Sequence, residues 1–397
     1  MKKYNFDEII DRKDTDCIKY DATEKFWRIK DAFPMWVADM DFKTPDFIIN
    51  ALKKRLEHEI LGYGFKSERH FTSIKNWLEK RHNFNVKTDQ ISSSPGVVTG
   101  FSMAIQQFTN PGDEIIVQPP VYFPFFKTIK NADRKVVYNP LKISEGKITM
   151  DFADLEKKIS SKTQMILLCN PHNPGGRAWT LQELQQLDEL AQKHNLLVIS
   201  DEIHADILLN GNKFYSYASV SEYAAQNSII FGAPSKTFNI AGLSTSFVIA
   251  KNPEILKKYN KILELNHLAK GNVLGNIALT AAYENGSEWL DQLIEYLEGN
   301  LDYLTNFFQE NMPEVKVYRP DASFLVWLDF NQWGLSPAEL KNFFFKQAKI
   351  IINPGFIFGP GGEGFMRLNF ALPRKKLEWA LEKIYETIKQ FKAHPSI

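Results

Sequence analysis

Ser235-Lys236-Thr237-Phe238-Asn239-Ile240-Ala241-Gly242 is the stretch on which the reading of this chain turns. Its lysine sits among small and polar residues and runs into an Ala-Gly turn. A lone lysine reads by default as a solvated surface charge. The surroundings argue for more. Phe231-Gly232-Ala233-Pro234 reads as a strand ending in a tight turn, so Lys236 is presented at a strand end beside the Ser235 hydroxyl. Upstream, Asp201-Glu202 closes the apolar run Leu196-Leu197-Val198-Ile199, which puts a carboxylate at the end of an earlier strand.

An amine and a carboxylate at two strand ends are what pyridoxal 5'-phosphate requires. The amine bonds covalently to the cofactor's aldehyde, and the acid holds the proton on its ring nitrogen. With Asn170-Pro171-His172-Asn173-Pro174-Gly175-Gly176 and Asp201-Glu202-Ile203-His204, the lysine motif resembles the fold-type I pyridoxal phosphate enzymes of the class I/II aminotransferase family. Met35-Trp36-Val37-Ala38-Asp39-Met40-Asp41-Phe42 and the histidine after Asp-Glu-Ile resemble one branch of it, the cystathionine β-lyases or cysteine-S-conjugate β-lyases of the MalY/PatB type. The resemblance runs from about Trp36 to Arg367, with the motifs in the family's order.

Composition sets the bounds. A chain of 397 residues, 44% hydrophobic and 24% charged, has room for two domains with a real core. A net charge of +1 without like-charge blocks gives no footprint for nucleic acid or an anionic membrane. Cys17 and Cys169 are too few for a disulfide framework and fit a reducing compartment. The basic start Lys2-Lys3 has no apolar stretch behind it, so no secretory signal is expected, and no apolar run is long enough to span a bilayer. The cytoplasm is the expected location. No histidine pair has metal-ligand spacing, so no metal site is expected.

The first forty residues read as an arm laid over the body. Trp36 either anchors that arm or faces the substrate. Thr44-Pro45 reads as a helix start with the hydroxyl at the cap, and a second helix is expected from Ser67 to about His82. From Ile115 to Phe231 short β-rich runs alternate with helical segments. This pattern predicts a mostly parallel sheet with covered faces, with ligands at the carboxyl ends of its strands. After Ala250 helices dominate, the longest from Ser287 to about Asn311. Runs at Val315–Tyr318, Phe324–Leu328, Ile350–Ile352 and Met366–Phe370 predict a second sheet, with a helix from Ser336 to Gln347 and another near the C-terminus. The expected fold is α/β, of the aspartate aminotransferase-like fold type I. Its large domain spans 44–285, and a smaller α+β domain combines 1–43 with 286–397. Gly359-Pro360-Gly361-Gly362-Glu363-Gly364 matches G-x-G-x-x-G, but a strand rather than a helix follows, so a flexible hairpin loop is expected.

Candidate site residues follow. Val97, Val98 and Thr99 open a helix after Pro95-Gly96, and free N–H groups there suit a phosphate or merely start a helix. Asp201 is the candidate acid for the ring nitrogen, Asn173 for its phenolate oxygen, Tyr122 for stacking, Ser235 for the phosphate, and His204 for the ring's acid side or plain packing. Arg367, flanked by apolar residues, needs an anion: a substrate carboxylate or a structural salt bridge. The resemblance implies that the backbone at Val37 and Ala38 lies by the substrate carboxylate. It also implies that Tyr63, between Gly62 and Gly64, reaches the cofactor phosphate of a partner subunit in a homodimer. Many class I aminotransferases carry an arginine where this chain has Ser244. The expected activity is α,β-elimination from L-cystathionine or a related cysteine S-conjugate. Aminotransfer by the same lysine is the alternative, and a regulatory, partner-binding protein that retains the fold is a reading of another class.

Overall fold

The computed structural model describes residues 2–144 and 146–393. Its larger sheet has seven strands in the order Ile91–Ser94, Ser246–Ile249, Ser228–Gly232, Leu197–Asp201, Thr163–Cys169, Glu114–Val117 and Lys135–Tyr138. Every pairing is parallel except the two made by Ser246–Ile249. Successive side chains leave opposite faces, and both faces are buried. Ile115, Val117, Met165, Leu167, Ile199 and Phe231 pack on one side, and Ile116, Ile166, Leu168, Val198 and Ile230 on the other. This is why the strands read as unbroken apolar runs rather than alternating ones. The helix Val97–Phe108 lies so close to the sheet that a Cβ on Gly100 would come within 2.4 Å of the Phe231 ring.

Two strands of this sheet escape the sequence pattern. Ile91-Ser92-Ser93-Ser94 reads as a polar turn, but its hydroxyls find partners inside the fold: Ser92 donates to Asn260 and Ser94 to the Gly96 carbonyl. Ser246–Ile249 pairs antiparallel with it, and the Ser246 hydroxyl donates to the Ser94 carbonyl at 2.9 Å. Serine is tolerated at 92, 94 and 246 because these hydroxyls are hydrogen-bonded.

A second, four-stranded antiparallel sheet runs in the order Lys316–Tyr318, Leu325–Asp329, Phe365–Asn369, Asn353–Pro354. It packs beneath the helices Ser287–Asn311 and Arg374–Ala393, which Asn300 ties to the sheet's exit by donating to the Phe370 and Leu372 carbonyls. The N-terminal arm joins through Phe33–Pro34, paired parallel with Ile350–Ile351.

Three expectations need correction. The helix Asp46–Leu56 follows Thr44-Pro45, but Thr44 does not cap it; its hydroxyl donates instead to the Asn239 carbonyl at 3.0 Å. The helix expected from Ser336 to Gln347 is α-helical only over Pro337–Asn342 and widens to a π-turn over Phe343–Gln347. Phe343, Phe344 and Phe345 on this wider turn are all buried in the core. The glycine-rich loop 359–364 does lead into a strand, yet it is tightly packed: a Cβ on Gly355 would meet the Gly362 carbonyl at 2.0 Å. Among the described residues no helix is long and apolar enough to cross a membrane.

Candidate active site

The carboxyl ends of the parallel strands converge on one cavity of about 480 Å³. It is lined by Trp36, Val37, Ala38, Val97, Val98, Thr99, Tyr122, Asn173, Asp201, His204, Ser235, Lys236 and Arg367. Tyr63 alone among the candidates lies elsewhere. Its ring is 93% exposed, with the Lys270 ammonium 4.3 Å from its centroid.

Lys236 stands on a single helical turn, Pro234–Thr237, that begins directly after the buried strand Ser228–Gly232. Pro234 at its start fits the fixed φ of a first helical turn. The lysine amine donates to the Ala38 carbonyl at 2.5 Å. Burial pushes its pKa down to about 8; Asp39 raises it, Arg367 lowers it further, and Asp201 raises it. A lysine so tuned is a usable base near neutral pH.

Asp201 ends the neighbouring strand and is 4% exposed. Burial pushes its carboxyl up to about 7, against the Ile203 N–H bond at 3.2 Å and the charge of Lys236. It forms no ion pair among the described residues. Of the Asp201-Glu202 pair only the aspartate faces the cavity, because Glu202 turns to the Ser200 hydroxyl and the Tyr217 N–H.

Arg367 is 4% exposed in the strand Phe365–Asn369. One Nη donates to Asn173 Oδ1 at 2.9 Å; the other donates to the Trp36 carbonyl at 2.8 Å and Asn353 Oδ1 at 2.5 Å. Its Nε–H is buried without a partner, and no carboxylate pairs with the guanidinium among the described residues. The structural salt bridge weighed for it is therefore absent. Burial lowers its pKa to about 10. A buried cation held only by neutral acceptors is costly until an anion arrives.

The remaining residues complete the walls. Tyr122 is buried enough, and near enough to Asp201, that its hydroxyl pKa rises to about 12. His204 Nδ1 meets the Ser323 hydroxyl at 3.1 Å; burial, then Lys236 and Arg367, hold the ring neutral at a pKa of about 3. The helix at Val97–Thr99 starts after Gly96, whose φ of 122° lies outside the range of other residues, and no side chain caps it. Its first N–H groups thus open on the cavity, an uncapped anion site. Ser244 and Thr245 line the same cavity. The Trp36 indole donates to Thr23 and the Lys19 carbonyl, so the ring anchors the arm while the backbone carbonyl serves Arg367.

The donor set fits pyridoxal phosphate: an amine for the aldehyde, a lone acid for the ring nitrogen, uncapped N–H groups for the phosphate, and an orphaned guanidinium for a carboxylate. The profile of the Aminotransferase class I and II family matches residues 37–384. The chain belongs to that family. Within this class I and II family, the chain is 45% identical to the cystathionine beta-lyase PatB of Bacillus subtilis, over 96% of this chain and 98% of that one. Cystalysin from Treponema denticola, solved with its pyridoxal 5'-phosphate, superposes with a TM-score of 0.95 at 36% identity, covering 98% of this chain and all of that one. The PLP-bound C-S lyase of Staphylococcus hominis superposes at 0.90 with 33% identity, covering 97% and 99%. The chain is thus a pyridoxal phosphate-dependent member of the family, acting on a small amino-acid substrate.

Several cavity residues carried no sequence signal. Asn353 is an ordinary asparagine after an apolar run, and Ile18 and Phe123 look like surface and core residues. Nothing in the run Met35–Phe42 marks Asp39 for a role, yet it heads the charges that act on Lys236.

Proposed function

We propose that this chain is a C–S β-lyase that cleaves L-cystathionine or a related cysteine S-conjugate to a thiol, pyruvate and ammonia. The observation that carries the proposal is Arg367, a buried guanidinium with an orphaned Nε–H beside Lys236. Such a group selects a carboxylate and fixes its plane by paired N–H bonds.

Pyridoxal phosphate, when bound, supplies the electron sink that makes the α-proton of an amino acid removable. The chain does the rest. Arg367 and the backbone at Trp36, Val37 and Ala38 hold the α-carboxylate. Lys236, once free as an amine, takes the proton from Cα. The electron pair left on Cα forms the Cα–Cβ double bond as the Cβ–S bond breaks, and the sulfur leaves as a thiolate that is then protonated. Water completes the balance: L-cystathionine and one water give homocysteine, pyruvate and ammonia. Asp201, Asn173, Tyr122 and His204 hold the ring, while Val97, Val98, Thr99 and Ser235 take the phosphate.

Tyr63 of the partner subunit completes the phosphate shell in a homodimer. The exposed run Ile60, Leu61, Tyr63 and Phe65 supports this reading, since a lone chain gains nothing from placing four large apolar side chains in water. We take residues 44–285 as the large domain, 1–43 with 286–397 as the small one, and the cytoplasm as the location.

The test supplies L-cystathionine to the holoenzyme and measures pyruvate and homocysteine. Stoichiometric formation of both supports the lyase. Amino transfer to a keto acid without pyruvate would favour the aminotransferase, and neither reaction would favour a regulatory protein.

A further inference from the structure

The segment Trp36–Phe42 lines the cavity with its first three residues and joins no sheet, and apart from the Asp41 N–H, which donates to the Ala371 carbonyl, its backbone bonds are made largely by side chains. Arg367 donates to the Trp36 carbonyl, and Asn369 to those of Val37 and Asp39. Lys236 itself donates to Ala38. Asn239 makes the largest contribution. Its Oδ1 accepts from the Met40 N–H at 3.0 Å, and its Nδ2 donates to the Met40 and Phe42 carbonyls at 2.9 and 2.8 Å. Its own carbonyl accepts from the Thr44 hydroxyl. Asn239 does this from a left-handed backbone, φ 56°, three residues beyond Lys236. Asparagine tolerates that region better than most residues.

We propose that Asn239 is a positioning residue for Lys236, a role that rests on the lyase reading above. By locking Met40 and Phe42 to the residues just past the lysine's turn, it sets the distance between the Ala38 carbonyl and the Lys236 amine. An amine that donates one N–H to a fixed acceptor cannot rotate freely, so its lone pair is aimed rather than averaged. Asn239 thus orients the base toward the substrate's α-carbon while touching neither cofactor nor substrate. Arg12 braces the same segment, bidentate on Asp39 and bonded to the Met40 carbonyl and Asp41, but its other side-chain bond goes to Cys17 in the N-terminal arm. Among the described residues, Asn239 joins Lys236 in bonding to the strap from the segment that carries the lysine.

The experiment compares Asn239→Gly, which keeps the left-handed backbone and deletes all three side-chain bonds, with Asn239→Asp, which keeps the Met40 acceptor only. Hydrogen–deuterium exchange on the full chain without cofactor should quicken about tenfold or more across residues 38–42 in Asn239→Gly, and less in Asn239→Asp. In the holoenzyme, kcat for pyruvate should fall about 10- to 100-fold with KM nearly unchanged, as for a misaimed base. The isotope effect with α-deuterated substrate should rise as proton removal becomes limiting. Unchanged strap exchange, an effect on KM alone, or a lost kcat without a rise in the isotope effect would each overturn the proposal. Should Asn239→Gly fail to fold, Asn239→Asp carries the same criteria. A wild-type protein that makes no pyruvate would sink the lyase reading separately, and the exchange data would still judge the clamp.

Discussion

Asp201→Asn should make the cofactor-free protein more stable and the holoenzyme nearly inactive. Burial moves the Asp201 carboxyl from its ordinary 3.8 up to about 7, with no ion pair among the described residues to cancel it. An acid whose folded pKa is raised favours the folded state fully below its unfolded pKa, and that contribution is lost as pH climbs through the folded value. The wild-type penalty therefore grows between about pH 4 and pH 7 and is level above. Roughly three decades of proton affinity at about 1.4 kcal/mol each give a ceiling of about 4 kcal/mol. Asparagine is nearly isosteric, keeps an oxygen for the Ile203 N–H, and carries no charge to bury. Urea unfolding of both apo-proteins at pH 4, 6 and 8 measures the gap. The variant should gain a few kcal/mol at pH 8, less at pH 6 and almost nothing at pH 4. With cofactor restored, it should lose at least about 100-fold in kcat, because an amide cannot hold the ring nitrogen's proton by charge. Equal or lower stability of the variant at pH 8, or a gap that does not shrink on acidification, would refute the reasoning.

Two further substitutions probe other parts of the site. Arg367→Lys keeps the charge but loses the paired planar donors, so kcat/KM for L-cystathionine should drop about 100-fold, mostly through KM, in a pyruvate-release assay. Tyr63→Ala and Lys236→Ala should each be inactive alone, yet co-expressed they should recover about a quarter of the wild-type sites per protein. In a mixed dimer one cavity has both the lysine and the partner subunit's Tyr63, and half of randomly paired dimers are mixed. Failure to recover activity in a verified mixed dimer would remove Tyr63 from the shared site.

What could be read from the sequence was local. Lys236, Asp201 and Val97–Thr99 each sit where a strand ends and the chain turns, so a short motif carries both the residue and its placement. Arg367 stood out because a cation inside Met366-Arg367-Leu368 must find an anion. The polar strand at Ile91–Ser94 did not stand out, since Ser92 and Ser94 find their hydroxyl partners only after the sheet has formed. Nor did the strap. Its bonds from Asn239 and Asn369 span about two and three hundred residues, and an asparagine advertises nothing about its partner at that range.

The most direct measurement is chemical. The holoenzyme is reduced with borohydride, digested, and the modified peptide located by mass spectrometry. The account predicts a single phosphopyridoxyl group on the side-chain nitrogen of Lys236 and loss of pyruvate formation in step with its attachment. A label on another lysine, or a protein that takes up no label after incubation with pyridoxal phosphate, would contradict it.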